Sequence, residues 1–163
     1  MKTLYILRHA KSSWDDPDLE DFQRPLNSRG EKDAPKMGKR LRKEPVLPKV
    51  IVSSPANRAL TTARLVATEI GYPSLDIQEQ QRLYHASEEV ILEIIKTLDD
   101  SLDAVMVVGH NPGLTEFANA LLDEEISNIP TAGLVGAKLN VHQWKDMRWG
   151  SGEMFLFEYP KKK

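Results

Sequence analysis

The chain has no cysteine, which excludes a disulfide framework, a thiolate zinc site and a cysteine nucleophile. Aromatic residues are few, at 7 %, and no apolar run approaches the roughly 20 residues that span a bilayer. The opening run Met1–Leu7 is too short for a secretory signal and stops at Arg8. Neither a G-x-x-x-x-G-K-[ST] phosphate loop nor a G-x-G-x-x-G dinucleotide turn is present. Charge of one sign is not in excess either: Lys and Arg number 22 against 24 Asp and Glu. No global basic field invites nucleic acid, and no acidic composition implies disorder. The terminal Lys161-Lys162-Lys163 reads as a solvated tail rather than a nucleic-acid or membrane anchor. A cytoplasmic protein with no nucleic-acid or membrane partner is therefore expected.

What is there amounts to one ordinary domain over residues 1–163, without repeats or linkers. Thr3–Leu7, Val50–Ser53 and Ala104–Val108 read as short buried strands, and Leu75–Gln78 as a further one. Apolar residues at helical spacing mark helices around Leu60–Ile70, Val90–Leu98 and Leu114–Leu122. An earlier helix lies between Ser28 and Lys43, with Pro35 delaying its start or bending it. Gly133–Val141 and Met154–Tyr159 read as an antiparallel hairpin or edge strands. This alternation predicts an α/β fold: one three-layer α/β/α domain with a mostly parallel central sheet. The polar segment Ser12–Arg29 is the exception, a long loop suited to a functional rim.

The unusual residues sit at three strand ends. Arg8-His9 follows the first strand, Ser53–Arg58 the second, and Gly109-His110-Asn111-Pro112 the later one. Ligands of open parallel sheets bind at the carboxyl ends of strands. With Ser54 as N-cap and Pro55 in the first helical position, Arg58 falls in the first turn and leans back over the sheet. Asn111-Pro112 repeats the arrangement and leaves His110 at the mouth. Two Arg, two His, Lys11 and helix amino termini repel a metal cation and suit a phosphate. Arg8, Arg58, His110, Lys11, Ser12 and Asn111 are the candidate phosphate ligands. A neutral imidazole is a competent nucleophile for phosphorus, and neighbouring Arg disfavours its protonation. His9, with its second ring nitrogen donating to a backbone carbonyl, is the candidate nucleophile; no metal or cofactor is called for. Taken singly, each residue has a plainer reading. Arg8 or Arg58 would pair with a carboxylate, Ser54 and Asn111 would cap helices, and His85 and His142 would lie on the surface or be hydrogen-bonded. Together at one sheet edge, coincidence is the poorer account.

Leu7-Arg8-His9-Ala10 resembles the Arg-His-Gly signature of the histidine phosphatase superfamily, with Ala replacing the commoner Gly. Ser54–Ala63 resembles its S-P-x-x-R-A-x-x-T-A block, and Val108–Pro112 its third block. Arg24-Pro25-Leu26 with Gly30 adds a fourth element. Short length and the segment Leu7–Asp15 look most like the SixA-type phosphohistidine phosphatases, in the phosphoglycerate mutase-like fold. The resemblance implies that His9 becomes phosphorylated while Arg8, Arg58 and His110 hold the phosphate. It also implies a substrate such as phosphohistidine on a phosphotransfer protein. Larger members carry an acidic proton donor after the strand that here ends near Gln78. Gln81–Glu88 offers no clear equivalent, with Glu88 and Glu89 better placed to serve the next helix. The loop acids Asp15, Asp16 and Asp18 are alternative donors. Competing functions are a small-molecule phosphomonoester phosphatase, a mutase, and a phosphate-binding module without turnover.

Overall fold

Short apolar runs become central strands because a parallel sheet covered by helices buries both of its faces. In the computed structural model, which describes residues 1–163, these are Lys2–Arg8 (β1), Val50–Ser53 (β2), Gln78–Glu79 (β3) and Ala104–Gly109 (β4). Leu134–Leu139 (β5) and Gly152–Glu158 (β6) complete a six-stranded sheet in the order β3-β2-β4-β1-β5-β6. The first four strands are parallel, while β5 runs antiparallel to β1 and β6 antiparallel to β5.

Four helices cover the sheet: Ser28–Lys43 (α1), Asn57–Ile70 (α2), Glu88–Lys96 (α3) and Gly113–Leu122 (α4). Side chains alternate across a strand, so β1 feeds two cores. Tyr5 and Leu7 join Met37, Leu41, Ala63 and Val66 of α1 and α2. Leu4 and Ile6 join Ile91, Ile95, Leu114 and Phe117 of α3 and α4. The expected three layers and mostly parallel sheet are present. No helix is long and apolar enough to cross a membrane.

Three local expectations change. Leu75–Gln78 is not a strand: Ser74–Asp76 forms a 3-10 turn, Leu75 is 97 % exposed, and only Gln78–Glu79 pairs with β2. Nothing there buries an apolar face, so the run lacks the driving force for a full strand. The helix carrying Pro35 does not start late. Asn27 Oδ1 accepts from Gly30 N at its amino end, and the helix continues through Pro35 to Lys43. The two readings of the last strands merge, since β5 and β6 pair with each other while β5 lies inside the sheet and β6 at its edge.

The segment Ser12–Arg29 is tied down. Ser12 bridges to Leu26, Asn27 N donates to Lys11 O, and Asp21–Gln23 forms a 3-10 turn. A Cβ on Gly30 would lie 2.1 Å from the Lys11 carbonyl oxygen. Only glycine lets the first turn of α1 press against the backbone that follows β1.

Candidate active site

The order β2-β4-β1 brings the three candidate loops side by side, since β4 lies between the other two. Arg8 pairs with Gly109 across β1 and β4. His9 N donates to Gly109 O, and Ala132 N donates to His9 O. Thr62 on α2 accepts from Ala10 N at 2.9 Å and donates to Arg58 O at 2.7 Å. One hydroxyl thus fixes the His9 turn against the turn that carries Arg58. Ala10 is fully buried without a positive φ, so a methyl fits where the related signature has glycine.

His9 is oriented by its own neighbour. Its Nδ1 lies 2.7 Å from Ala10 O. A carbonyl can only accept, so Nδ1 carries the proton and Nε2 of the neutral ring keeps its lone pair. The His9 pKa is lowered to about 4, chiefly by burial. Charges on Arg58, Arg8 and Arg24 add to this, and the bond to Ala10 opposes it. The sequence pointed to the arginines as the cause; the dominant one is desolvation. His110 stands beside it, ring centroids 5.2 Å apart. Burial first, then His9 and Arg58, lower its pKa to about 3.

Ser54 selects the His110 tautomer. Its Oγ accepts from Ala56 N, and it lies 2.8 Å from His110 Nε2. The hydroxyl proton is then free for Nε2, which places the imidazole hydrogen on Nδ1. That nitrogen and Arg8 Nε are buried without a hydrogen-bond partner. Two unpaired buried donors beside His9 are costly to leave and are matched by the oxygens of an anion.

Arg58 is buried and held by the Ser12–Arg29 segment. Its NH1 donates to Asp21 O and its NH2 to Asp21 Oδ2, at 2.7 and 2.9 Å. Asp21 also accepts from Arg24 at 3.0 Å and Tyr84 Oη at 2.6 Å, while His85 Nε2 lies 3.2 Å away. Burial works to raise this carboxyl. The bonds from Tyr84, Arg58 and Arg24 outweigh burial and hold it well below the usual carboxylate range. Arg24 donates further to Ser13 O and Ser12 Oγ, and its guanidinium stacks 3.2 Å from the Trp14 ring centre. Trp14 is 77 % exposed, so the face away from Arg24 is open.

A cleft of about 470 Å³ runs along these groups. Of the expected ligands, Arg8, His9, Lys11, Ser12 and Arg58 line it, joined by Trp14, Arg24, Asn27 and Thr131. His110, buried beside His9, is not part of the lining, and Asn111 does not join them either. Its amide nitrogen donates to Asn128 and Ile129 O, and its oxygen accepts from Thr115 N and Oγ1, so the side chain is spent on closing the loop after α4. The two capping assignments also change. α2 begins at Asn57 after Ala56, leaving Pro55 outside the helix and Ser54 free to meet His110. α4 begins at Gly113, and the Asn111–Pro112 peptide is cis. Asp16 caps a local turn at Asp18 N, while Asp15 stays on the cleft rim. His142 and His85 are both exposed as expected, and His85 also meets the Asp21 cluster. Asp21 and Tyr84 carry no role in the sequence reading, and Thr62 enters it only as a fixed position of the S-P-x-x-R-A-x-x-T-A block. For Asp21 the available signal was its place three residues before Arg24.

Acid should unfold this protein by way of the two buried imidazoles. Each binds a proton near pH 6.5 in the unfolded chain but at about 4 and about 3 in the folded one. Between these values the unfolded state holds more protons, so stability is lost as pH falls through the window. Urea denaturation should show a midpoint that drops from pH 6.5 to pH 4, and drops less in His110→Gln.

The comparisons agree with this geometry. The model of the histidine phosphatase superfamily (branch 1) matches residues 4–87. An uncharacterised Mycobacterium tuberculosis protein is 31 % identical over 165 residues, covering 95 % of this chain and 100 % of that one. An uncharacterised chloroplastic Arabidopsis thaliana protein is 33 % identical over 128 residues, 74 % of this chain; the chain spans only 59 % of its length. The crystal structure of a protein assigned as the phosphohistidine phosphatase SixA of Agrobacterium tumefaciens superposes with a TM-score of 0.84. It is 28 % identical and covers 98 % of each chain. On the family model over residues 4–87 and this superposition, the chain belongs to the histidine phosphatase superfamily, on the SixA-type branch.

Proposed function

We propose that the chain is a metal-independent phosphatase that passes a phosphoryl group through Nε2 of His9, acting in the cytoplasm on phosphohistidine carried by a phosphotransfer protein. The observation that carries this reading is the His9–Ala10 bond, which commits Nδ1 and leaves a neutral ring with its lone pair on Nε2. Attack on phosphorus needs that lone pair, and the low pKa of His9 keeps it available across the neutral range. The equatorial oxygens are held by Arg8 and Arg58, by His110 Nδ1, and by Lys11 and Ser12 at the cleft wall. Phosphoryl transfer asks mainly for such placement and for matching charge.

Trp14 supports a planar leaving group. Its open face lines the same cleft as His9, and the buried Arg24 guanidinium backs the other face. An imidazole leaving from phosphorus can lie on such a surface. The similar Agrobacterium protein is described as a phosphohistidine phosphatase. A small-molecule phosphomonoesterase is the second reading, because the cleft is open enough to admit a free phosphoester.

Brief incubation with a labelled phosphodonor and an alkaline quench should yield an acid-labile phosphoenzyme, with the label located on His9 by peptide fragmentation. Turnover should then be faster on a phosphohistidine protein than on p-nitrophenyl phosphate or sugar phosphates. The opposite ranking would replace the protein substrate with a small ester. No label from any donor would leave only a phosphate-binding module.

A further inference from the structure

Phosphoryl transfer to His9 leaves open which group supplies the leaving group's proton. The carboxylate bonded to Arg58 is a poor donor. Asp21 is held ionised by Tyr84, Arg58 and Arg24, and both of its side-chain oxygens accept hydrogen bonds. Asp16 is committed to a surface turn. His9 and His110 are buried and neutral, and the Tyr84 hydroxyl donates to Asp21.

His85 differs from all of these. Its side chain is 57 % exposed, and Nε2 lies 3.2 Å from Asp21 Oδ2. The ring packs on Tyr84 with centroids 4.0 Å apart and stands 5.7 Å from the His110 ring. Its backbone has φ +54°, in the left-handed region that few residues other than glycine adopt, histidine being enriched there along with asparagine and aspartate. Strain of this kind persists where surrounding structure enforces it, and it gathers at functional sites. Here the enforcing contacts are Tyr84 and Asp21, which hold the imidazole with its ring 5.7 Å from that of His110. With Nε2 turned to Asp21, Nδ1 remains for exchange with a substrate.

We propose that His85 is the general acid and base of the reaction, with Asp21 as its positioning partner. This rests on the phospho-His9 reading above. In the first step His9 Nε2 bonds to phosphorus and the bond from phosphorus to the leaving nitrogen or oxygen breaks. The His85 imidazolium gives its proton to that atom. In the second step water attacks phospho-His9, its proton passes to neutral His85, and the P–N bond returns its electron pair to His9. The sum is one water consumed and inorganic phosphate released, with both rings restored. The groups facing His85 are Asp21 from the 3-10 turn, Tyr84 beside it, His110 after β4, Arg58 through Asp21, and Glu116 of α4 across a shared hollow.

The test compares wild type, His85→Ala and His85→Gln on phosphate esters whose leaving groups run from p-nitrophenol through phenol to a primary alcohol. p-Nitrophenolate departs unaided, whereas an alkoxide needs a proton. Both variants should lose about 10²–10³-fold more activity on the alkyl ester than on p-nitrophenyl phosphate. Equal losses along the series, or no loss, overturn the assignment while leaving the phosphoenzyme in place. A wild type that forms no acid-labile phosphoenzyme overturns both readings together.

Discussion

Replacing His9 with alanine should lower turnover by at least about 10⁴-fold and abolish the acid-labile phosphoenzyme. Losses of this size follow when the nucleophile is taken from a set of groups that act as a unit. Nothing nearby can substitute for it. His110 is the adjacent imidazole, but Ser54 holds its Nε2 and its Nδ1 carries the hydrogen. The chain has no cysteine, and Ser54 is fully buried on the far side of His110 Nε2. The variant should stay folded, because the turn is held by backbone bonds from His9, Ala10 and Ala132 rather than by the imidazole. Circular dichroism and the urea midpoint check that point. Appreciable turnover by this variant would transfer the chemistry to another group.

Arg58→Ala should cost about 10²–10³-fold in kcat/KM, or roughly 2.7–4 kcal/mol of transition-state stabilisation, the range for a lost oxyanion donor. Two effects combine. A guanidinium that neutralises charge developing on phosphorus disappears, and Asp21 loses a partner that holds it ionised and in place. Lysine should recover little. Arg58 serves the backbone carbonyl and the carboxylate of Asp21 through two nitrogens of one planar fork, and an ammonium cannot keep both while facing a phosphate. Steady-state kinetics on p-nitrophenyl phosphate would read both substitutions. An effect below about threefold would place Arg58 among residues that only brace the Ser12–Arg29 segment.

Much of this arrangement was legible in the sequence, for physical reasons. β1, β2 and β4 are short apolar runs buried on both sides, a pattern that leaves little freedom in placing them. Their ends then fixed the positions of Arg8, His9, Arg58 and His110, because a polar residue directly after a buried strand must emerge at the sheet edge. Helical spacing marked α2, α3 and α4 in the same way. Capping was harder to read. Ser54-Pro55 looks like a helix start, yet Ala56 still intervenes before α2, and the serine hydroxyl turns to His110 instead. Asn111 carries the right side chain for a phosphate contact, but Asn128, Ile129 and Thr115 use it up. Those partners lie too far along the chain for local pattern to reveal them, Thr115 excepted.

The acidic hub was the least visible part. Asp21 is one of several Asp in a polar segment, and its partners Arg58 and Tyr84 are 37 and 63 positions away. Only the folded chain brings them together. It also changes the charge balance of the site. Composition alone suggested unopposed positive charge, whereas one carboxylate already answers Arg24 and Arg58. The cleft is therefore positive enough to draw a phosphate without the full repulsion of a bare arginine cluster.

The sheet order has a consequence for how this protein comes into being. β1 and β2 are made early but are not neighbours; each waits for β4, which slots between them and carries His110 at its end. A nascent chain that stops before Ala104 owns the nucleophile and both of its arginines and yet lacks the strand through which the sheet joins β1 to β2. Closing loops of this length is entropically slow. Competence thus arrives in a single step with insertion of that one central strand, and enzymatic output from a refolding sample would count fully zipped molecules while remaining blind to any partly formed ones.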